Sequence, residues 1–404
     1  SFRYRKKDVK MSSEIKQISN KINSVLSNGD WYKISVDSEG VYALGFSELE
    51  LLGINTVSLL NSSIHIYGNS GGMIPTANSE FRHEDLIKNS ISIIDENDNG
   101  IFEDGDLIIF YGEDVDYWHA DQDHIGRYYH EKHLYDDYNY YFLTINNLES
   151  PKRIENYIPT LKLEPQFSDI FNTYQFHELD LVNFIQSGRN WYGEVFDANL
   201  TQSFLFNFPN IVENSEVYIK ASLAARSFSP SSFHLSYNGS QIMSVSLNSV
   251  TSGFETDYAS LASISGDVLE DADDVNITLT FDRNSSSHKG WLDYIEISAL
   301  RNLIMTGSQM NFRKTIDTDQ DQLYSLIIDN FSESHKVWNV TDPTNVKQHA
   351  MSFYSNNKFS LDYDVFSGFS DEKFIAFDGS DYLTPNILGK VNNQNLHADT
   401  DFDM

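Results

Sequence analysis

No cysteine occurs in the 404 residues. A disulfide, a thiolate metal ligand and a cysteine nucleophile are therefore all excluded. Proline is scarce, at 8 residues, which rules out a proline-rich stalk. Basic residues are few: 28 Lys and Arg face 59 Asp and Glu, for a formal net charge of −31. A field of that sign repels phosphate backbones, so nucleic acid is not an expected partner, while divalent cations and basic partners are compatible with it. No apolar run is long enough to span a bilayer as a helix, so no transmembrane segment is expected. Residues 1–27 lack the apolar centre of a signal peptide. They carry Arg3, Arg5, Lys6, Lys7, Lys10, Lys16 and Lys21 against Asp8 and Glu14, and read as a basic leader or linker.

What is present is apolar and aromatic. Hydrophobic residues make up 40%, too many for a disordered chain, and 27 Phe and 23 Tyr favour strands over helices. The length exceeds one ordinary core. The expected fold class is mainly β, with several β-rich domains, a jelly-roll-like β-sandwich among them, and few short helices. The expected organisation is residues 28–165 as a β-rich α+β domain, 166–303 as the sandwich, and 304–404 as a β-rich segment leading into a further domain beyond Met404.

Local patterns support this. Trp31-Tyr-Lys-Ile-Ser-Val36 and Val41-Tyr-Ala-Leu44 read as a hairpin about Asp37-Ser-Glu-Gly40. A short helix follows, with a capping box of Ser47 and Glu50, a staple of Phe46 on Leu51, and Gly53 as its stop. Phe204, Phe206 and Phe208 alternate with Leu205 and Asn207 at the period of a strand. Asn238-Gly239 marks a tight hairpin turn.

The most specific chemical motif is Asp95-Glu-Asn97-Asp-Asn99-Gly100-Ile101-Phe-Glu-Asp-Gly-Asp106. Oxygen side chains fall at loop positions one, three and five, glycine at six and a carboxylate at twelve. That is calcium-loop spacing, with Asp95, Asn97, Asn99, the Ile101 carbonyl and Asp106 as ligands of a structural calcium ion. The competing reading is an acidic, Asx-rich turn without metal. Between Asp95 and Asp137 fourteen carboxylates meet only Arg127 and Lys132, a strongly acidic stretch.

Three weaker motifs have plain alternatives. Gly68-Asn-Ser70-Gly-Gly72 matches a nucleophile elbow, which requires a helix next; a glycine-rich turn is the other reading. His130 and His133 would share a helix face and hold zinc, or are ordinary histidines in the group with His119 and His124. Trp191, Tyr192 and Trp291 would stack on sugar rings if exposed, or pack in the core. The last set makes a carbohydrate-binding or adhesive surface protein the second functional reading.

Several blocks taken in order resemble one family. They are Asp30-Trp-Tyr-Lys-Ile-Ser-Val36 with Gly40-Val-Tyr42, Ile66-Tyr-Gly68 with Gly71-Gly-Met-Ile-Pro75, and Asp104-Gly-Asp-Leu-Ile-Ile-Phe-Tyr-Gly112. Then come Asn139-Tyr-Tyr-Phe-Leu-Thr144, His177-Glu178 with Ser187-Gly-Arg-Asn-Trp-Tyr-Gly-Glu194, Trp291-Leu-Asp-Tyr-Ile-Glu-Ile297, Val337-Trp-Asn-Val-Thr-Asp-Pro343 and Gly389-Lys-Val-Asn-Asn-Gln-Asn-Leu-His397. Together they are similar to the N-terminal, non-catalytic region of PorU-type sortases, the gingipain-like cysteine peptidases of the type IX secretion system in Bacteroidetes. The resemblance implies a peptidase domain after His397 that holds the catalytic His and Cys. It implies a parent protein that cleaves C-terminal sorting domains from exported cargo and attaches the cargo to anionic lipopolysaccharide. It also implies a PorV-like outer-membrane barrel as partner, and an exported location at the cell surface, peripheral to the outer membrane. It assigns no catalytic residue to any position of this chain.

Overall fold

The computed structural model describes residues 23–77, 79–186, 188–253, 256–270 and 272–396. The basic stretch lies mostly outside them, as do Ser187 and His397. The fold is mainly β, with one α-helix, Phe46–Leu52, among the described residues.

A sheet of ten strands organises the molecule. Its spine runs through Ser260–Glu270, Ser215–Arg226, Lys289–Asn302, Ile170–Glu178, Gln309–Thr318, Gly368–Phe377 and Lys336–Asn339. Strand alternation gives this sheet two different faces. On one face Val217, Ile219, Ile295 and Ile297 pack with Phe204, Phe206, Ile277 and Phe281, which come from a four-stranded sheet of Thr201–Asn207, Asp274–Asp282, Ser231–Tyr237 and Ser240–Leu247. This is the expected β-sandwich. Leu205 between the two Phe is 68% exposed, as its alternate position requires. The turn of Asn238 and Gly239 takes φ of 46° and 83°, the left-handed pair that a two-residue hairpin loop needs.

Farther along the same face, Phe312, Phe374 and Phe171 pack against Leu326, Phe359 and Leu361. These belong to a second four-stranded sheet, Gln166–Ser168, Gln322–Ile328, Lys358–Val365 and Ser352–Ser355. The strands on either side of position 303 thus share one sheet.

The first part of the chain builds two small sheets around a core of Ile34, Val36, Leu44, Ile64, Ile108 and Leu143. Here the structure corrects a local expectation. Trp31–Val36 and Gly40–Leu44 do not form a hairpin with each other: the former pairs with Asn139–Ile145 and Asn386–Val391, the latter with Leu107–Gly112. Residues 37–39 form a corner between stacked sheets, because both strands have apolar side chains to bury in the core between them. The helix start differs too. Gly45 is the N-cap, and its N–H donates to Glu48 Oε2 at 2.9 Å, so the capping carboxylate is Glu48 and not Glu50. Leu51 is 72% exposed and staples nothing. Gly53 ends the helix at φ 83°, as expected.

A shared core binds this part to the long sheet. Val41, Ile109 and Tyr111 pack against Trp338, Val346, Ile375 and Phe377. Ile375→Ala should therefore destabilise the whole chain by about 2–5 kcal/mol, the cost of an unfilled cavity. Urea unfolding measures this, and an unchanged midpoint would exclude a shared core.

Candidate functional site: a charged seam under a hairpin

Between the two sandwiches' cores and the first sheets lies the other face of the long sheet, and its alternate residues are polar. Asn172, Tyr174 and Glu178 lie on one strand, Glu296 and Ser298 on its neighbour to one side, and Arg313 and Thr315, then Asp371 and Lys373, on the two strands to the other side. A hairpin, Tyr117–Ala120 with Tyr128–Glu131, crosses this face. Its alternation directs Tyr128 and His130 down onto the sheet.

The contacts are specific. Tyr128 N–H donates to Ser298 Oγ at 3.0 Å, and its hydroxyl donates to Asp371 Oδ1 at 3.1 Å and bonds Thr315 Oγ1. Trp118 packs on Tyr174, ring centres 4.1 Å apart, while its carbonyl accepts from Arg313 Nη1 at 3.1 Å. His130 N–H donates to Glu296 Oε1 at 2.9 Å. Its ring then sits between two carboxylates: Nδ1 lies 2.8 Å from Glu296 Oε1 and Nε2 lies 2.5 Å from Glu178 Oε2. Lys220 Nζ reaches Glu296 Oε2 at 2.8 Å.

With both nitrogens facing carboxylates, the ring must carry two protons. Burial alone would depress His130, but the hydrogen bonds and charges of Glu178 and Glu296 outweigh it and push it up to about 9. Glu296 moves the opposite way: burial would raise it, but His130 and Lys220 hold it below the usual carboxylate range. A histidine fixed as a cation at neutral pH is a clamp rather than a general base.

Nearer the first sheets, Lys373 is 6% exposed and lies 2.5 Å from Glu39 Oε2 and 3.5 Å from Glu113 Oε1. Desolvation opposes its charge, yet Glu39, Tyr111 and Glu113 hold it well above the ordinary lysine range. Arg313, also 6% exposed, pairs with Asp371 at 3.2 Å. Charged residues centred in apolar strands were the sequence signal for this seam. Their partners came from distant segments and carried no local signal.

The expected calcium loop is a surface turn. Asp95 Oδ2 accepts from Gly100 N–H at 2.8 Å and Oδ1 from Asn99 N–H at 3.3 Å; these backbone bonds lower the Asp95 pKa. Asn97 Oδ1 accepts from Asn99 N–H, and Asn99 Oδ1 from Ile101 N–H. Both amide nitrogens donate to Glu103 Oε2, at 3.0 and 3.2 Å. Asp106 is 2% exposed and accepts from Glu96 N–H and Glu103 N–H, each at 2.9 Å, so it belts the loop from beneath. Asp95, Asn97 and Asn99 therefore gather in one turn, with Asp106 at its base.

The remaining candidates separate. Ser70 lies in a loop where residues 73–75 are not helical, so the helix an elbow needs does not follow it. Gly71 is there because a Cβ would come 1.9 Å from the Asp114 carbonyl oxygen. His130 is on a strand, not a helix, and its ring is taken by Glu178 and Glu296, so it does not pair with His133 for zinc. Tyr192 and Trp291 are buried at 4% and 5% and pack on Phe184, the tyrosine stacked and the tryptophan tilted; only Trp191 of that trio is exposed. Two of the ordered blocks meet, with His177 Nε2 2.7 Å from Glu194 Oε1.

Superposition on solved structures gives a close match in shape. The crystal structure of dimeric latent PorU from Porphyromonas gingivalis aligns with a TM-score of 0.79 over 94% of this chain, at 22% sequence identity. The fold is PorU-like. The alignment covers 35% of that PorU chain, so this chain spans about a third of its length. The N-terminal CBM22-1-CBM22-2 tandem domain from Paenibacillus barcinonensis Xyn10C aligns over 54% of this chain and 86% of its own, at 9% identity and a TM-score of 0.19. The insecticidal delta-endotoxin Cry8Ea1 from Bacillus thuringiensis aligns over 60% of this chain and 43% of its own, at 10% identity and 0.22. Scores that low carry no shared architecture. No family model and no curated protein matches the chain.

Two outcomes follow from the seam. Because the folded pKa of His130 is raised, its stabilisation is complete below the ordinary histidine value of about 6.5 and is lost as pH rises through about 9. The loss should be on the order of 3 kcal/mol in urea unfolding between pH 6 and 10, and His130→Gln should flatten that limb. Lys373→Met should cost about 3–5 kcal/mol by leaving Glu39 and Glu113 without their cation. Adding Glu39→Gln should restore part of it. Two losses that simply add would exclude the pairing.

Proposed function

We propose that this chain is the non-catalytic N-terminal scaffold of a PorU-type sortase. The observation that carries the reading is the alignment of 94% of this chain with about a third of PorU at a TM-score of 0.79. The ordered blocks, from Asp30-Trp-Tyr to Asn392-Asn-Gln-Asn-Leu-His397, point the same way. With no cysteine, the chain has no thiolate to attack a peptide bond. Its share of the work is to hold and aim a peptidase domain, and the charged seam suits that role by fixing the hairpin rigidly on the long sheet. In this reading the parent protein cleaves C-terminal sorting domains from exported cargo and attaches the cargo to anionic lipopolysaccharide. It works outside the cell at the outer membrane, docked on a PorV-like barrel. No helix among the described residues is long and apolar enough to cross a membrane, and a peripheral scaffold needs none.

The reading frame beyond Met404 tests this directly. A following domain with a paired His and Cys is expected, and a frame that closes without one ends the proposal. Joined to that domain, the chain should support cleavage of a sorting-signal reporter, while the chain alone leaves the reporter intact.

We assign a structural calcium ion to the loop 95–106, on Asp95, Asn97, Asn99, the Ile101 carbonyl and Asp106. The donor set is all oxygen, as a hard cation requires: the Asp95 and Asp106 carboxylates, the Asn97 and Asn99 amide oxygens and one backbone carbonyl. Binding to the folded form alone stabilises by mass action. At 10 mM calcium the gain should be about 1–3 kcal/mol for a site of extracellular affinity, read as a rise in Tm that Asp95→Ala abolishes. An equal Tm with calcium and with chelator would leave the plain Asx turn.

A further inference from the structure

On one flank of the hairpin, residues 132–137 face residues 180–186 and 188–191 across a groove. Two adjoining cavities, of about 550 and about 210 Å³, share Lys132, Leu134, Asp180, Arg189 and Trp191. Space of that size holds side chains of a bound segment. Trp191 is 44% exposed and Tyr135 is 75% exposed on the facing loop. Tryptophan, tyrosine and arginine are the residues on which protein interfaces most depend. Leu134, 45% exposed in the lining that both cavities share, adds an aliphatic contact suited to a polypeptide side chain.

The charge of the groove selects which polypeptide. Asp136, Asp137, Glu178, Asp180 and Asp293 line it against Lys132, Arg189 and the His130 cation, and the pairs Lys132 with Asp180, 2.6 Å apart, and His130 with Glu178 cancel internally. Asp293 projects from the long sheet into the floor. It accepts from Ser222 Oγ at 2.8 Å and has no cationic ion-pair partner among the described residues. Desolvation, with the carboxylates of Glu178 and Asp180 nearby, pushes it up to about 6; His130 acts weakly the other way. A partly buried carboxylate beside an exposed indole is a site for a cation, which gains from both the charge and the ring face.

We propose that this groove docks an extended, basic polypeptide segment, with one arginine or lysine side chain lying over Trp191 and its charge directed at Asp293. The site stands on these residues alone and does not depend on a peptidase domain following the chain.

The test uses a fluorescein-labelled hexapeptide of alternating glycine and arginine, its glutamate counterpart, and cellohexaose, each titrated against the whole chain. Fluorescence anisotropy reads the two labelled peptides, and calorimetry reads the sugar. The arginine peptide should bind and the glutamate peptide should not. Trp191→Ala should weaken binding roughly tenfold. Asp293→Asn should weaken it and remove the rise in affinity expected between pH 5 and 7. Asp319→Asn, an equal change of charge at an exposed turn elsewhere, should leave binding as it is. Melting curves verify that each variant is folded. Absence of binding, equal loss in Asp319→Asn and Asp293→Asn, or cellohexaose binding with the arginine peptide inert would each overturn the proposal.

Discussion

Lys373 lies in a strand whose neighbouring positions, Phe374, Ile375 and Ala376, are fully buried, and its ammonium group is almost out of reach of water. A cation there is tolerable only because Glu39 arrives from the corner after one N-terminal strand and Glu113 from the end of another. The rest of the arrangement depends on that constraint. The long sheet needs its apolar face to build two sandwiches, and the polar face needs partners that only the first part of the chain can supply. Arg313 with Asp371, and His130 with Glu178 and Glu296, repeat the same solution along the sheet. Breaking any of these pairs leaves a buried charge, so the hairpin has one register on the sheet and no comfortable alternative.

That distribution of work between the faces also explains why the chain suits a platform. Apolar contact is tolerant of sliding, whereas a two-sided imidazolium clamp and a lysine held by two carboxylates are directional. Rigid β layers then present loops, and the loops are where partners would be met.

Most of the elements were legible in the sequence. The aromatic alternation at Phe204, Phe206 and Phe208 and the Asn238-Gly239 turn became what their patterns predicted, because each is decided by neighbours along the chain. Pairing was less legible. Trp31–Val36 looked like half of a hairpin, yet it pairs with strands more than 100 residues away, and no local pattern encodes that. The helix cap moved by two residues, from Ser47 with Glu50 to Gly45 with Glu48, because two glutamates two apart offer the same local pattern. Among candidate residues, Asp95, Asn97, Asn99 and Asp106 were visible from spacing as parts of one turn. Glu178, Glu296 and Lys220 became a constellation with His130 only through sheet register. Trp191 and Tyr192 are adjacent and chemically alike, and the sequence had no means of saying that one is outside and the other in the core.

The strand Asn386–Val391 pairs antiparallel with Trp31–Val36 so that Trp31 sits opposite Val391. Just outside it, Asn393 donates to the Leu26 and Gly29 carbonyls, and Asn395 accepts from Ser24 N–H. Both ends of the described chain therefore leave from one corner. Tension applied between them would load these bonds one after another, as a zipper opens, and not all together. The corner is thus the mechanically weak point, and a tug on either tail would peel it while the ten-stranded sheet stayed intact.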